Sequence, residues 1–446
     1  MKLPVPPPTI NDILLRTGLN ILSNPEMKVA LKEWNRKYYY WEQFRQLPMP
    51  AGISAEKAWA ARKIYSFGQA REFPLRDRGG RHFSYWLPEQ AQEWLHLIDR
   101  NSAVSARLEG MPSREERIRY IISSLMEEAI ASSQIEGAAV TRKEAKEMLR
   151  SNRAPANRHE QMVVNNYRAI EEIRRNLKDA SLTVEAIRRL HSIVTEGTLD
   201  TPADSGRFRR SPEDDDVKVF DGEGTILHTP PSGAELEERM NRLIAFANDD
   251  SEFMHPVVKA ILLHFWVGYD HPFVDGNGRT ARAIFYWHML RSGYSPFEYI
   301  SISRIVLKSS GQYMRAFLHS ELDGGDATYF IMYNLRVIHD AASEIMRHIA
   351  RKNEEAARSA GMLRKFPGLN HRQREILGDA LKKPGRIYAI RRHAQIQNVA
   401  YGTAYADLMD LAKRGLMLKT KSGRNYVFIA SEGFEAKLQA DADHTL

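Results

Sequence analysis

The 446-residue chain contains no cysteine, which excludes disulfides and thiolate metal sites. Long hydrophobic runs are missing too. The most apolar stretch, "AILLHFWVGY", is interrupted by His264 and is too short to span a bilayer, so no membrane partner is expected. The start, "MKLPVPPPTINDILL", has one lysine and then prolines where a signal peptide needs an unbroken apolar stretch, and a cytoplasmic protein is expected. There is no internal repeat, no low-complexity tract and no GxxxxGK[ST] phosphate loop.

What is present describes a soluble globular protein, 27% charged and 43% hydrophobic, and long enough for two or three domains. The net charge of +8 is uneven. Residues 361–430 hold 14 Lys and Arg against 4 Asp and Glu, an excess of 10, so the rest of the chain sums to about −2. A basic C-terminal part hints at an acidic partner.

Along the chain, a proline-rich lead and aromatic clusters ("KYYYWEQF", "FSYWLPEQAQEWLHLID") predict a small, mostly helical N-terminal module over 1–110, with the loop "LRDRGGRHF" and a few extended pieces. From residue 111 helical periodicity dominates up to about 345. Ile118, Ile121, Ile122, Leu125 and Ile130 mark the first long helix. One segment breaks this pattern: "DVKVFDGEGTILHTPP" alternates, carries Gly222 and Gly224 in its middle and ends at two prolines, as a β-hairpin does. Residues 346–370 are expected to form a linker, 371–432 a helix, helix, helix and hairpin, and 433–446 a frayed tail.

The chemistry concentrates in "HPFVDGNGRTAR", His271 to Arg282. An apolar helix ending near Tyr269 delivers His271 to a loop, with Pro272 barring simple continuation. Gly276, Asn277 and Gly278 permit positive φ and close backbone approach. A helix is expected to restart at about Arg279, and its free N–H groups and dipole favour phosphate. Arg279 and Arg282, three apart, add charged forks on one side of the first turn. Asp275 is a lone hard carboxylate of the kind Mg²⁺ takes alongside substrate phosphates and water. His271 is then free to act as base toward an attacking hydroxyl. Together these residue types point to phosphoryl or nucleotidyl transfer. Gly276 to Ala281 also fits the G-x-G-x-x-A dinucleotide pattern, but a helix rather than a strand precedes it.

The stretch resembles the Fic family signature H-P-F-x-[DE]-G-N-G-R-x-x-R and matches it at every fixed position. "GRFRR" before the hairpin, "TPPSG" after it and "DGGDATYF" downstream also look like family landmarks, with residues 111–345 as the core. The resemblance implies a mainly α fold: an all-helical core with a β-hairpin flap, beside a helical N-terminal module. It implies transfer of AMP from ATP, with Mg²⁺, to a Ser, Thr or Tyr hydroxyl of a target protein. On that reading His271 is the base and Asp275 the metal ligand. Gly276, Asn277 and Gly278 form the anion hole, Arg279 grips phosphate, and Arg282 meets the γ-phosphate. The hairpin is the flap that pins a target segment, with Val219 and Phe220 as clamp residues.

A second motif lies at the end of the helix from about 114. Glu136, next to Gly137, puts a negative charge where the helix dipole disfavours it, which calls for a cationic partner. "SSQIEG", with Ser132, Glu136 and Gly137, is similar to the family's inhibitory motif [ST]-x-x-x-E-[GN]. The resemblance implies that Glu136 pairs with Arg282 and denies it to the nucleotide, and that the same glutamate can assist AMP removal. Residues 371–432 resemble the winged helix-turn-helix domain appended to many such proteins. Thr403, Ala404, Asp407, Leu408, Leu411, Gly415 and Arg424 fit its pattern, while Ala406 replaces the usual arginine. DNA is the partner this domain implies; a protein-docking or homodimer module is the alternative. The competing function is a DNA-binding transcriptional regulator whose Fic core senses nucleotide.

Overall fold

A computed structural model describes residues 2–10, 13, 25–102, 114–294, 297, 300–383, 385–422 and 425–443. It is mostly helical, with three small antiparallel sheets among the described residues. The chain divides into a larger unit, up to residue 346, and a smaller one from residue 347 onward.

In the larger unit the N-terminal part comprises α1 (Pro25–Lys37), α2 (Trp41–Phe44), α3 (Ala55–Phe67), the hairpin β1 (Arg71–Arg76) and β2 (His82–Tyr85), and α4 (Glu89–Ser102). These elements share one hydrophobic core with the helices that follow, so the expected 1–110 module is not a separate domain. Its aromatic clusters supply the reason. Trp34, Trp41, Phe44 and Trp59 pack edge to face, and Phe73 and Phe83 reach the rings of Trp266 and Phe265. A buried ion cluster completes the join. Lys63 sits 2.8 Å from Asp323 and 2.6 Å from Asp326, both within "DGGDATYF". Burial alone would lower the Lys63 pKa; the two carboxylates more than offset it and hold it raised.

Next come α5 (Arg114–Ile135), α6 (Arg142–Ser151), α7 (Arg158–Glu172), α8 (Val184–Thr195), the hairpin β3 (Val219–Phe220) and β4 (Ile226–His228), α9 (Leu236–Asn248), α10 (Pro256–Asp270) and α11 (Asn277–Arg291). On α5, Leu125 and Ile130 are buried, whereas Ile118 and Ile122 remain exposed. The antiparallel pair α10 and α11 lies at the centre. Helix α9 packs on α10, and α5, α7 and α8 pack on α11. Helix α10 starts with Pro256 in its first turn and the His255 ring accepting the Val257 N–H, and it is buried on nearly every side. Helix α11 begins at Asn277, two residues before the expected restart, because Gly276 at φ +80° already turns the chain. Helices α12 (Ser303–Lys308) and α13 (Ser310–Leu322) lead into α14 (Thr328–Lys365).

The smaller unit corrects two boundaries. Residues expected as a linker are helical up to Lys365, and Leu363, Phe366 and Leu369 enter this unit's core. The expected tail forms α18 (Phe434–Asp443), whose Phe434 and Leu438, four apart, fill the same core. Between them lie α15 (His371–Lys382), β5 (Ile387–Ala389), α16 (Ile390–Gln397), α17 (Tyr401–Lys413), β6 (Met417–Ser422) and β7 (Asn425–Ala430), with strand order β5-β7-β6. Strand β5 is too short for alternation to show in sequence. Asp407 on α17 takes two bonds from Arg372, at 2.6 and 3.0 Å, and one from Asn370 at 2.7 Å, tying α17 to the start of α15. Arg424 lies outside the described residues.

Candidate active site

His271 terminates α10 with a left-handed backbone, φ +46°, and its N–H donates to the Val267 carbonyl at 3.0 Å. A non-glycine residue held at positive φ is strained, and such strain gathers at functional sites where neighbours enforce it. The enforcing neighbour is the buried Arg209 of "GRFRR". Its guanidinium donates to the carbonyls of His271 (2.7 Å), Pro231 (2.8 Å) and Asp270 (3.2 Å), and its own N–H to Pro272 (2.8 Å). The His271 Nδ1 lies 3.4 Å from the Gly268 carbonyl, which only accepts; Nδ1 therefore carries the proton and Nε2 is bare. Burial, then the nearby His228 and Arg209, holds this imidazole neutral, with its pKa down at about 3.

The loop after His271 is held from inside. Asn277 accepts the Phe273 N–H (2.8 Å) and donates to the Phe273 carbonyl (2.7 Å). Gly276 caps α11 without a capping side chain, so the amide groups of the first turn face the loop unspent. A Cβ at Gly276 would meet the Thr195 methyl at 2.5 Å, and one at Gly278 would fall inside the Glu136 carboxylate. Asp275, its side chain 46% exposed, accepts the Gly276 N–H at 2.6 Å and lies 3.3 Å from Arg279. Among the described residues no group of three His, Cys, Asp or Glu is arranged to hold a metal. A single exposed carboxylate suits a hard cation that keeps waters and substrate phosphates as its other ligands, and Asp275 meets that description.

The two arginines face different neighbours. Arg279 donates to the Val194 carbonyl at 2.8 Å, while its Nε has no protein partner. Arg282 donates to the Ser132 hydroxyl (2.9 Å), the Ser132 carbonyl (3.0 Å) and the Glu136 carboxylate (2.8 Å), while its NH1 has none. Both side chains are buried. Burial would lower the Arg282 pKa, yet Glu136 leads the groups that keep it raised. Glu136 follows the last turn of α5, where Gly137 takes φ +87° and lets the chain leave. Ser132 and Glu136 thus both contact Arg282, and Gly137 makes the turn that follows them.

The hairpin pairs Val219 with His228 and Phe220 with Ile226; Val219 is half-buried and Phe220 is 52% exposed. His228 anchors its base through contacts to Glu321 (2.8 Å) and to the Tyr269 carbonyl (2.7 Å), two residues before His271. Sequence reading missed three supports: His228, Arg209 and the buried His191 of α8. Arg209 lay within a quoted motif. His191 occupied an apolar helix face, where an isolated histidine gives no signal of its own.

Residues 181–289 match the Fic/DOC family. The chain is 34% identical over 120 residues to a protein adenylyltransferase Fic from Nematostella vectensis, covering 27% of this chain and 25% of that protein. It is 37% identical over 116 residues to one from Drosophila melanogaster, covering 26% and 21%. The chain thus spans a quarter or less of the length of these curated relatives. A crystal structure of a Fic family protein from Desulfovibrio desulfuricans shares the fold, with a TM-score of 0.52 at 18% identity over 75% of this chain and 96% of that one.

Proposed function

We propose, from the Fic/DOC domain at residues 181–289, that this protein is a cytoplasmic, autoinhibited protein adenylyltransferase that moves AMP from ATP onto a Ser, Thr or Tyr hydroxyl of a target protein. One observation carries the reading. Buried Arg279 and Arg282 both stand in the first two turns of α11, whose N-terminus Gly276 leaves without a side-chain cap. Two buried cations beside free helix N-terminal amides match an entering polyphosphate.

The bare Nε2 of His271 would take the proton of the target hydroxyl. That oxygen then attacks the α-phosphorus, a new P–O ester forms, the bond to the β-phosphate oxygen breaks, and pyrophosphate leaves with the electron pair. A base held near pKa 3 is weak, and the approach of an anionic nucleotide favours the protonated form, drawing it toward the working pH. Gly276, Asn277 and Gly278 would receive phosphate oxygens on backbone amides. Asp275 would hold Mg²⁺, which neutralises charge on the phosphates when bound. Val219 and Phe220 would align a target strand by main-chain pairing.

Glu136 is the brake in this reading, occupying the Arg282 fork that the γ-phosphate requires, and the same carboxylate would assist hydrolysis of AMP from modified targets. The smaller unit adds DNA contact as a second role. Tyr401, Tyr405 and Tyr426 are exposed there, and the Lys419 ammonium lies 4.0 Å from the Tyr426 ring and 5.7 Å from that of Tyr405. Stacking faces interleaved with lysines suit a polyanion. Incubating the protein and its Glu136→Gly form with α-labelled ATP tests the main reading: label on protein supports it, and none from either form with any cell extract refutes it.

A further inference from the structure

We infer that His191 is a positioning residue: it latches the Asp275–Gly276 peptide in the one orientation that serves the nucleotide loop. The inference rests on the nucleotide reading of that loop and adds a residue to it.

The His191 ring is fixed on three sides. Its Nδ1 accepts the Gly206 N–H at 2.9 Å, so Nδ1 carries no proton. The proton of the neutral ring is therefore on Nε2, which donates to the Asp275 carbonyl at 2.9 Å. The ring face stacks on Phe273, centroids 3.7 Å apart and planes 6° from parallel. Gly206 comes this close because it lacks a side chain; a Cβ there would meet the Ser192 hydroxyl at 2.6 Å. Three segments distant in sequence thus meet at one imidazole: helix α8, the turn before "RFRR" and the signature loop.

The consequence lies in the peptide plane. In a trans peptide the C=O and the following N–H point in opposite directions. With the Asp275 oxygen held toward His191, the Gly276 N–H must point away from it, and it does, donating to the Asp275 carboxylate. Glycine is needed at 276 because a side chain would strike Thr195. Glycine, however, also occupies the alternative backbone basins readily, so the backbone alone does little to resist inversion of this peptide. A flip would turn the Gly276 N–H away from the Asp275 carboxylate and present a carbonyl oxygen toward that carboxylate instead. The histidine supplies the order that the glycine takes away.

The test uses full-length protein with Glu136→Gly as parent, to which His191→Phe or His191→Gln is added. Phenylalanine keeps the ring stack and removes both nitrogens; glutamine can return an N–H near the Nε2 position. Two readouts are taken: the rate of AMP transfer from labelled ATP at saturating ATP, and the affinity for ATP with Mg²⁺ by calorimetry. Losing one preorganised donor of an anion hole costs about 10²–10³-fold in rate; the Phe variant is expected to lose about 10–100-fold in rate and to bind ATP more weakly, since the latch acts through the peptide. The Gln variant should recover most of both. A Phe variant within twofold of parent in rate and affinity overturns the inference. So does a Gln variant that fares no better than Phe while both remain folded by thermal melting. Where Phe does not fold, Gln is compared with Asn, which places its amide near Nδ1; equal rates and affinities overturn the latch. A parent that binds ATP but transfers nothing counts against the proposed function, and the binding comparison still decides the latch. A parent that binds no ATP overturns both.

Discussion

Replacing Glu136 by glycine is the perturbation whose size follows most directly from the structure. Arg282 can serve one anion at a time, either the glutamate carboxylate at 2.8 Å or a phosphate. Removing one partner of a buried pair costs about 2–5 kcal/mol, largely because the other charge is stranded. The Arg282 side chain is 6% exposed but that of Glu136 is 26% exposed, so water screens the pair and the lower figure applies. About 2 kcal/mol is roughly 30-fold in an equilibrium. On the proposed function that is the handicap ATP would face in displacing Glu136, and Glu136→Gly should raise transfer by about that factor. The arginine should stay in place, because two of its bonds go to Ser132 and not to the glutamate. The free protein should melt at lower temperature after the substitution, and ATP with Mg²⁺ should restore more stability to the mutant than to the wild type. Adding Arg282→Ala should erase the gain, a non-additivity expected of groups that share one function. The assay is labelled-ATP transfer to a competent target at subsaturating ATP. A change below threefold for Glu136→Gly, or a gain that survives Arg282→Ala, refutes the reasoning.

His271→Ala should lower transfer by about 10²–10⁴-fold while ATP affinity by calorimetry stays within a few fold, since phosphate is held elsewhere in the loop. Acid stability should follow three buried histidines outside the His271–Arg282 stretch: burial depresses His264 and His288 to about 3 and His319 to about 4. The unfolded chain takes up these protons below about pH 6.5 and the folded one does not, so their stability is full above that value and is lost as pH falls toward 4. Buried Asp270, raised to about 6, works oppositely, its contribution fading as pH rises through 6, but it is one group against three. A melting temperature that holds or rises between pH 6.5 and 4.5 contradicts this balance. If the smaller unit holds DNA by its phosphates, duplex affinity should fall steeply with added salt, and Lys419→Ala should reduce the salt slope by about one; a salt-insensitive complex points to protein docking instead.

The site was legible where chemistry is written in consecutive residues. His271 to Arg282 names its own loop, and Glu136 beside Gly137 asks for a cation that the fold supplies 146 positions later. What stayed hidden depends on partners that periodicity does not rank. Arg209 braces His271 across 62 residues, His191 reaches Asp275 across 84, and Lys63 meets Asp326 across 263. Each is a polar side chain at a position that could equally face water, so only the fold reveals what it holds. The same limit explains the N-terminal boundary: aromatic clusters show that something is buried, not against what. It also explains the expected linker, where Leu363 and Phe366 share a core with residues of α15 and α18 that lie far along the chain.

The close approach at Gly278, where the space of a single methyl group is already taken by the Glu136 carboxylate, would make the proposed brake an inhibitor on a leash. A diffusible competitor is overcome by dilution or cleared by metabolism; one fixed to the end of a packed helix keeps its local concentration whatever the cell contains. Tethering by even a short flexible segment gives effective concentrations of about millimolar, and a rigid helix aimed at its socket exceeds that. On that reading ATP would contest the socket on unequal terms, and changing protein abundance would leave the contest untouched. On the proposed function the lever that remains is mechanical: displacing the last turn of α5 by the width of one carboxylate would free Arg282 without any change in nucleotide supply.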